Sequence, residues 1–176
     1  MRYEDSLKME RQTPRVDGPA KPLLLVDVDG VLSLFGPGRA EPSLLVPALV
    51  DGVPHLLSRT AADALLELVE DFECAWCTGW KDRADAYLPV LLGLPPGWPH
   101  VRFAGVPSPG GHWKIGGIDA FAGPDRPLVW IDDDHDAACH AWATARHGPT
   151  LLVSTDPEVG LTRAHALRAH AWTAAL

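Results

Sequence analysis

Hydrophobic positions in this chain gather into four short, nearly unbroken runs, at 23–26, 72–77, 128–131 and 149–154. Runs of that length without polar alternation are strands buried on both faces, as in a parallel sheet covered by helices. Each is followed by apolar residues at helical spacing. Helices are predicted over 60–71, 81–92, 115–121, 136–147 and 162–174, with a further short strand at 100–104. Thr60 reads as the cap of the first, with Ala61, Ala64, Leu65, Leu68 and Val69 inward, and Gly93 to Pro99 ends the second. Thr162 reads as the cap of the last, with Leu161, Ala164, Leu167 and Ala171 inward. One stretch breaks the alternation: Asp51-Gly52 between two apolar runs predicts a β-hairpin over 45–50 and 53–57. Strands alternating with helices, joined by right-handed crossovers, give a doubly wound, Rossmann-like parallel α/β sheet.

Chemically capable residues follow the strands. The first run stops at Asp27-Val28-Asp29-Gly30, where alternation would turn Asp27 and Asp29 the same way. Carboxylates that close repel unless a cation holds them or one keeps a proton, which implies a divalent metal, acid/base work, or both. The plain alternative is a turn, since Asp-Gly is a common turn former. Thr78 follows the second run and reads most simply as a helix cap; Lys114, after His112-Trp113, reads alone as a solvated lysine. The third run ends at Asp132-Asp133-Asp134-His135-Asp136, four acids in five residues. Capping of the next helix accounts for one or two of them and leaves the others to a cation. Such open sheets collect ligands at the carboxyl ends of their strands.

Composition narrows the picture. Positions 1–22 are polar and broken by prolines and read as a flexible tail, with Met9 an alternative start; 23–176 reads as a single domain. No run has membrane-spanning length and none resembles a signal peptide, so the expected location is cytoplasmic, with no membrane and no obligate protein partner evident. A net charge of −8 disfavours general attraction to nucleic acid. Cys74 and Cys77 form a C-x-x-C inside a strand, which puts them on opposite faces as core residues, away from redox or zinc chemistry. The histidines at 135, 140, 147, 165 and 170 fall on predicted helices and read as surface residues, His112 being the best candidate for a site. Trp80, Trp113 and Trp130 flank the motifs and read as core packing, with stacking on a substrate ring the alternative.

The residues Asp27-Val28-Asp29-Gly30-Val31-Leu32 resemble the first motif of the haloacid dehalogenase (HAD) superfamily, and Thr78, Lys114 and Asp132-Asp133 stand in the order of its other motifs. More narrowly, Trp130-Ile131-Asp132-Asp133-Asp134, Thr78-Gly79-Trp80 and His112-Trp113-Lys114 resemble the small HAD domains associated with RNA-repair proteins. The resemblance implies a Mg²⁺-dependent phosphohydrolase with a short hairpin flap and no large cap domain. Asp27 would be the nucleophile and Asp29 the acid/base, an acid that dehalogenating members lack. Thr78 and Lys114 would hold phosphoryl oxygens. The metal would be held by the Asp27 carboxylate, the Asp29 carbonyl and Asp133, with Asp132 beside it and Asp136 orienting a metal-bound water. An open site of this kind suits a bulky phosphorylated substrate such as a nucleic-acid end, for which Arg39, Lys81, Arg83, Arg102 and Lys114 are the candidate basic residues. The alternatives are a phosphatase of small phosphate esters, phosphotransfer to an acceptor other than water, or a catalytically silent HAD-like binding module.

Overall fold

In the computed structural model, which describes residues 21–36, 38, 41–103 and 111–176, the four apolar runs form one all-parallel sheet. Its strands are β1 (Leu23–Val26), β4 (Glu73–Trp76), β5 (Leu128–Asp132) and β6 (Thr150–Ser154), in the order β4-β1-β5-β6. The first and third runs are therefore the central strands, and both are fully buried. Between β1 and β4 lie an antiparallel hairpin, β2 (Leu45–Val50) and β3 (Val53–Ser58), and helix α1 (Arg59–Leu66). Asp51 and Gly52 both take positive φ, +50° and +82°, as a tight two-residue turn requires. The remaining helices are α2 (Asp82–Leu92), α3 (Ile115–Ala122), α4 (Ala137–Ala145) and α5 (Arg163–Thr173).

Alternation along the strands sorts the core into two layers. Leu24, Val26 and Trp76 pack with buried side chains of α1, α2 and α5, whereas Leu23, Leu25, Ala75 and Trp130 pack with Ile118 of α3 and Cys139 of α4. The C-x-x-C divides the same way, Cys74 in the first layer and Cys77 in the second, both free thiols. Burial pushes the Cys74 thiol up to about 12 and Cys77 well above its ordinary value, so both remain protonated packing groups at neutral pH.

Several boundaries differ from expectation. Ser58 caps α1, its Oγ accepting from the Ala61 N–H at 3.1 Å, so the helix starts before Thr60; it ends at Leu66 and continues to position 71 only as turns. The expected strand at 100–104 reduces to an isolated bridge between His100 and Trp76, with position 104 outside the described residues, as are 1–20, Arg39 and 106–110. Lys21 and Pro22, assigned to the tail, are anchored: Lys21 Nζ donates to the Glu70 carbonyl, and the Pro22 carbonyl accepts from Glu73 N–H at 2.9 Å. The inward face of α5 is corrected. Leu161 is buried as expected, but Ala166 and Ala169 face the core, while Ala164 and Ala171 are exposed and Leu167 is 54% exposed. No described helix is long and apolar enough to cross a membrane.

Candidate active site

Both central strands end in an acid on the same side of the sheet. Leu23 and Leu25 of β1 face the α3–α4 layer, and so does Trp130 of β5; period-two alternation carries Asp27 and Asp132 toward that side. Lys114, at the start of α3, completes the arrangement. Its Nζ lies 2.9 Å from Asp27 Oδ2 and 2.6 Å from Asp132 Oδ2, and all three groups are nearly inaccessible to water. The solvated lysine of the plain reading is thus a buried counter-ion. Burial acts to lower its pKa, but the two carboxylates reverse that and hold it above the ordinary lysine value.

Asp27 shows the opposite balance. Burial pushes its carboxyl up to about 7 although Lys114 beside it favours the charged form, with Asp132 adding repulsion. Both Asp132 oxygens are engaged: Oδ2 accepts from Lys114 and from Trp130 Nε1 at 2.9 Å, and Oδ1 accepts from the Asp134 N–H at 3.1 Å. Asp133 is half-buried, with its pKa raised by burial and by Asp132, and makes no hydrogen bond to another residue among those described. Carboxylate oxygens of Asp27, Asp132 and Asp133 come within 4.8 Å of one another. An all-oxygen, anionic donor set of this kind fits a hard divalent cation. Because Asp132 is already occupied, Asp133 and the second oxygen of Asp27 are the groups left to hold one.

Asp29 does not join that cluster. β1 ends at Val26 and the chain turns at once, the Val28 carbonyl accepting from the N–H of Leu32 and of Ser33 at 2.8 Å, so strand alternation no longer applies. The Asp29 carboxylate instead accepts from Trp80 Nε1 at 3.0 Å and stands 3.8 Å from His55 Nδ1 of β3. It still lines, with Asp27, Lys114, Asp132 and Asp133, a cavity of about 360 Å³ whose rim includes Phe35, Gly79, His112, Trp113 and Asp134. Thr78 lies next to this cavity but is fully buried; its Oγ1 accepts from the Trp80 N–H at 3.3 Å, and it is Gly79 that reaches the cavity. Asp136 is the cap of α4, accepting from the Cys139 N–H at 2.9 Å, and that bond holds its pKa below the usual carboxylate value. It therefore serves the helix, as one acid of the run was expected to do.

Two histidines are more buried than their positions suggested. His112 has a side chain 5% exposed, its Nε2 4.0 Å from an Asp134 oxygen and otherwise without a partner among the described residues. His135 precedes α4, bonds Ser154 Oγ through Nδ1 at 2.9 Å and meets Trp130 edge-on; burial pushes its pKa down to about 4, so it is neutral at pH 7. Trp80 and Trp130, expected as packing or stacking groups, each donate an indole N–H to a site acid, a role not expected from the sequence. For Trp130 the signal was present: residues i and i+2 of one strand, Trp130 and Asp132, share a face.

Gly30 has a steric reason to be glycine. Its φ is +70°, and a Cβ there would overlap the Cγ and Oδ2 of Asp133. Gly30→Ala is expected to cost about 1–3 kcal/mol through backbone strain and to displace the Asp133 carboxylate. Calorimetric melting and titration with Mg²⁺ check this: the substitution should lower both stability and cation affinity, whereas Gly52→Ala, in the open hairpin turn, should lower stability alone.

No family model matches the chain, and no curated protein matches it significantly.

Proposed function

We propose that this protein is a Mg²⁺-dependent phosphohydrolase of the HAD type, acting through an aspartyl-phosphate on Asp27. The observation that carries the reading is the division of labour among the site acids: one buried carboxylate held against a lysine, a second carboxylate free beside it, and a third, Asp29, set apart on an indole N–H. A nucleophile, a cation ligand and an acid/base are the three groups that phosphoryl transfer to an aspartate needs. The doubly wound topology and a flap without a large cap belong to the same reading, as does a cytoplasmic location, with which the three free, buried cysteines agree.

An Asp27 oxygen attacks phosphorus as the bond from phosphorus to the leaving oxygen breaks, and Asp29 donates a proton to that oxygen. Water then attacks the phosphorus of the aspartyl-phosphate, giving its proton to Asp29, and the Asp27–phosphorus bond breaks to release inorganic phosphate. Lys114 neutralises Asp27 and the transferring group, and Asp132 holds Lys114 in place with Trp130. Asp27, the Asp29 carbonyl and Asp133 would hold a Mg²⁺ ion, which when bound would offset the charge of the phosphoryl oxygens. Thr78 steadies the turn that presents Gly79 to the same oxygens. The substrate is a phosphomonoester, and no obligate protein partner is needed.

The test is phosphate release, with Mg²⁺ or EDTA, from an aryl phosphate, a small polar phosphate ester and 3′- and 5′-phosphorylated oligonucleotides. Release that requires the metal supports the reading. Folded protein that binds Mg²⁺ and releases no phosphate from any of them overturns it in favour of a binding module.

A further inference from the structure

A second cavity opens beside the first. It has a volume of about 560 Å³ and shares Asp29 and Phe35 with the catalytic cavity, but Asp27, Lys114 and Asp133 do not line it. Its remaining wall is Ser33, Leu34 and Gly36 after β1 and Val53, Pro54, His55 and Leu56 of β3. Among the described residues Asp29 is its one carboxylate, and no lysine or arginine lines it.

Position along the reaction path gives this cleft a meaning, one that rests on the phosphohydrolase reading. If Asp29 protonates the leaving oxygen, the rest of the leaving group lies on the Asp29 side of the phosphoryl group, away from Asp27 and Lys114. We propose that the cleft between Phe35 and β3 is the leaving-group site and that it takes an uncharged, planar aromatic alcohol, so that the substrate is an aromatic phosphomonoester of low charge.

Two observations favour that occupant over a nucleic-acid end. Phe35 is 60% exposed at the junction of the two cavities, an orientation that costs solvent contact unless something covers the ring. Val53, Pro54 and Leu56 supply an apolar wall, and a polyanion crossing it would find Asp29 and no described cation. The cleft is also built in advance. Leu34 N–H donates to the Leu56 carbonyl at 2.9 Å and Ser58 N–H to the Leu32 carbonyl at 2.8 Å, which fixes the loop against β3, and Phe35 N–H donates to the Pro157 carbonyl at 2.9 Å, which ties it to the segment after β6. At the far end of the hairpin, Asp51 is held by Arg83 at 2.6 Å and by Tyr87 Oη at 3.1 Å, so α2 secures the turn. A preformed wall saves the ordering cost that a mobile flap would incur on binding.

The experiment has two readouts. Steady-state kinetics compare 1-naphthyl phosphate, glycerol 3-phosphate and a 3′-phosphorylated oligonucleotide for wild type, Phe35→Ala and the control Leu49→Ala, an exposed hairpin residue that does not line the cleft. Direct binding of 1-naphthol, followed by its fluorescence in the presence of EDTA, reports the cleft without turnover. Naphthyl phosphate is expected to have the highest kcat/KM. Phe35→Ala should raise its KM about tenfold and weaken naphthol binding to a similar degree, a larger loss than with glycerol 3-phosphate, while Leu49→Ala changes neither. Preference for the oligonucleotide, or equal effects of Phe35→Ala on all three substrates, overturns the proposal while leaving the phosphohydrolase intact. Naphthol binding that Phe35→Ala weakens, with no phosphate released from anything, keeps the aromatic cleft and removes the reaction; absence of both removes the proposal entirely.

Discussion

On the proposed phosphohydrolase reading, phosphate release by the Asp27→Asn protein is expected to fall on the order of 10⁴-fold or more, since loss of the proposed nucleophile would remove the reaction path itself. The same substitution should leave the fold intact. Burial already pushes the Asp27 carboxyl up to about 7, so the protein bears a cost for keeping it ionised, and an amide of the same shape does not. The sign of the pH dependence follows from linkage. In metal-free protein folded Asp27 keeps its proton up to about pH 7, whereas the unfolded chain loses it near 3.8, so folding takes up a proton between those values. Stability from this group is present at low pH and is lost as pH rises through the folded pKa. Melting curves in EDTA should therefore show wild type losing ground against Asp27→Asn from pH 4 to pH 7. Added Mg²⁺ should stabilise wild type and have little effect on the variant. A variant that retains most of its turnover would show that Asp27 is not the attacking group.

Lys114→Met is expected to be the most destabilising single change at the site. It leaves the Asp27 and Asp132 side chains, 8% and 1% exposed, with no cation between them. Removing one partner of a buried ion pair costs about 3–5 kcal/mol, because the surviving charge is left uncompensated. For a chain of this length that is a fall in Tm on the order of 10 °C. Without the ammonium the Asp27 carboxyl favours its protonated form more strongly, so the deficit should be largest above pH 7 and shrink on acidification. The double substitution Lys114→Met with Asp27→Asn should recover part of the loss, because one of the two stranded charges is gone. Differential scanning calorimetry from pH 5 to pH 8 measures both effects, and a deficit independent of pH would place the role of Lys114 in packing alone.

The strands were legible because residues 23–26 and 128–131 are short, uninterrupted apolar runs, the pattern of strands covered on both faces. The hairpin was legible from Asp51-Gly52, and the acids from their place at strand ends. What escaped depended on shape and on pairing across the chain. The inward face of α5 could not be chosen from hydropathy, since Ala164, Ala166, Ala169 and Ala171 are alike; the packing of the helix turns Ala166 and Ala169 to the core and leaves Leu167 outside. The direction of Asp29 escaped because the chain turns immediately after β1, so alternation was applied one residue too far. The run at 132–136 offered four acids of one kind, and only their partners separate them: Asp132 on Lys114 and Trp130, Asp136 on the Cys139 N–H, Asp134 out in solvent, Asp133 free.

The glycine after the first pair of acids and the acid after β5 also share one volume of space, since the carboxylate of Asp133 occupies the place where a side chain at position 30 would stand. Position 30 cannot gain a side chain while Asp133 keeps its place. A lineage could gain a side chain at 30 only after giving up the bulk at 133, and with it the free carboxylate. Sequences descended from this one should therefore show the two positions inherited together, a co-variation set by steric exclusion between segments far apart in the chain.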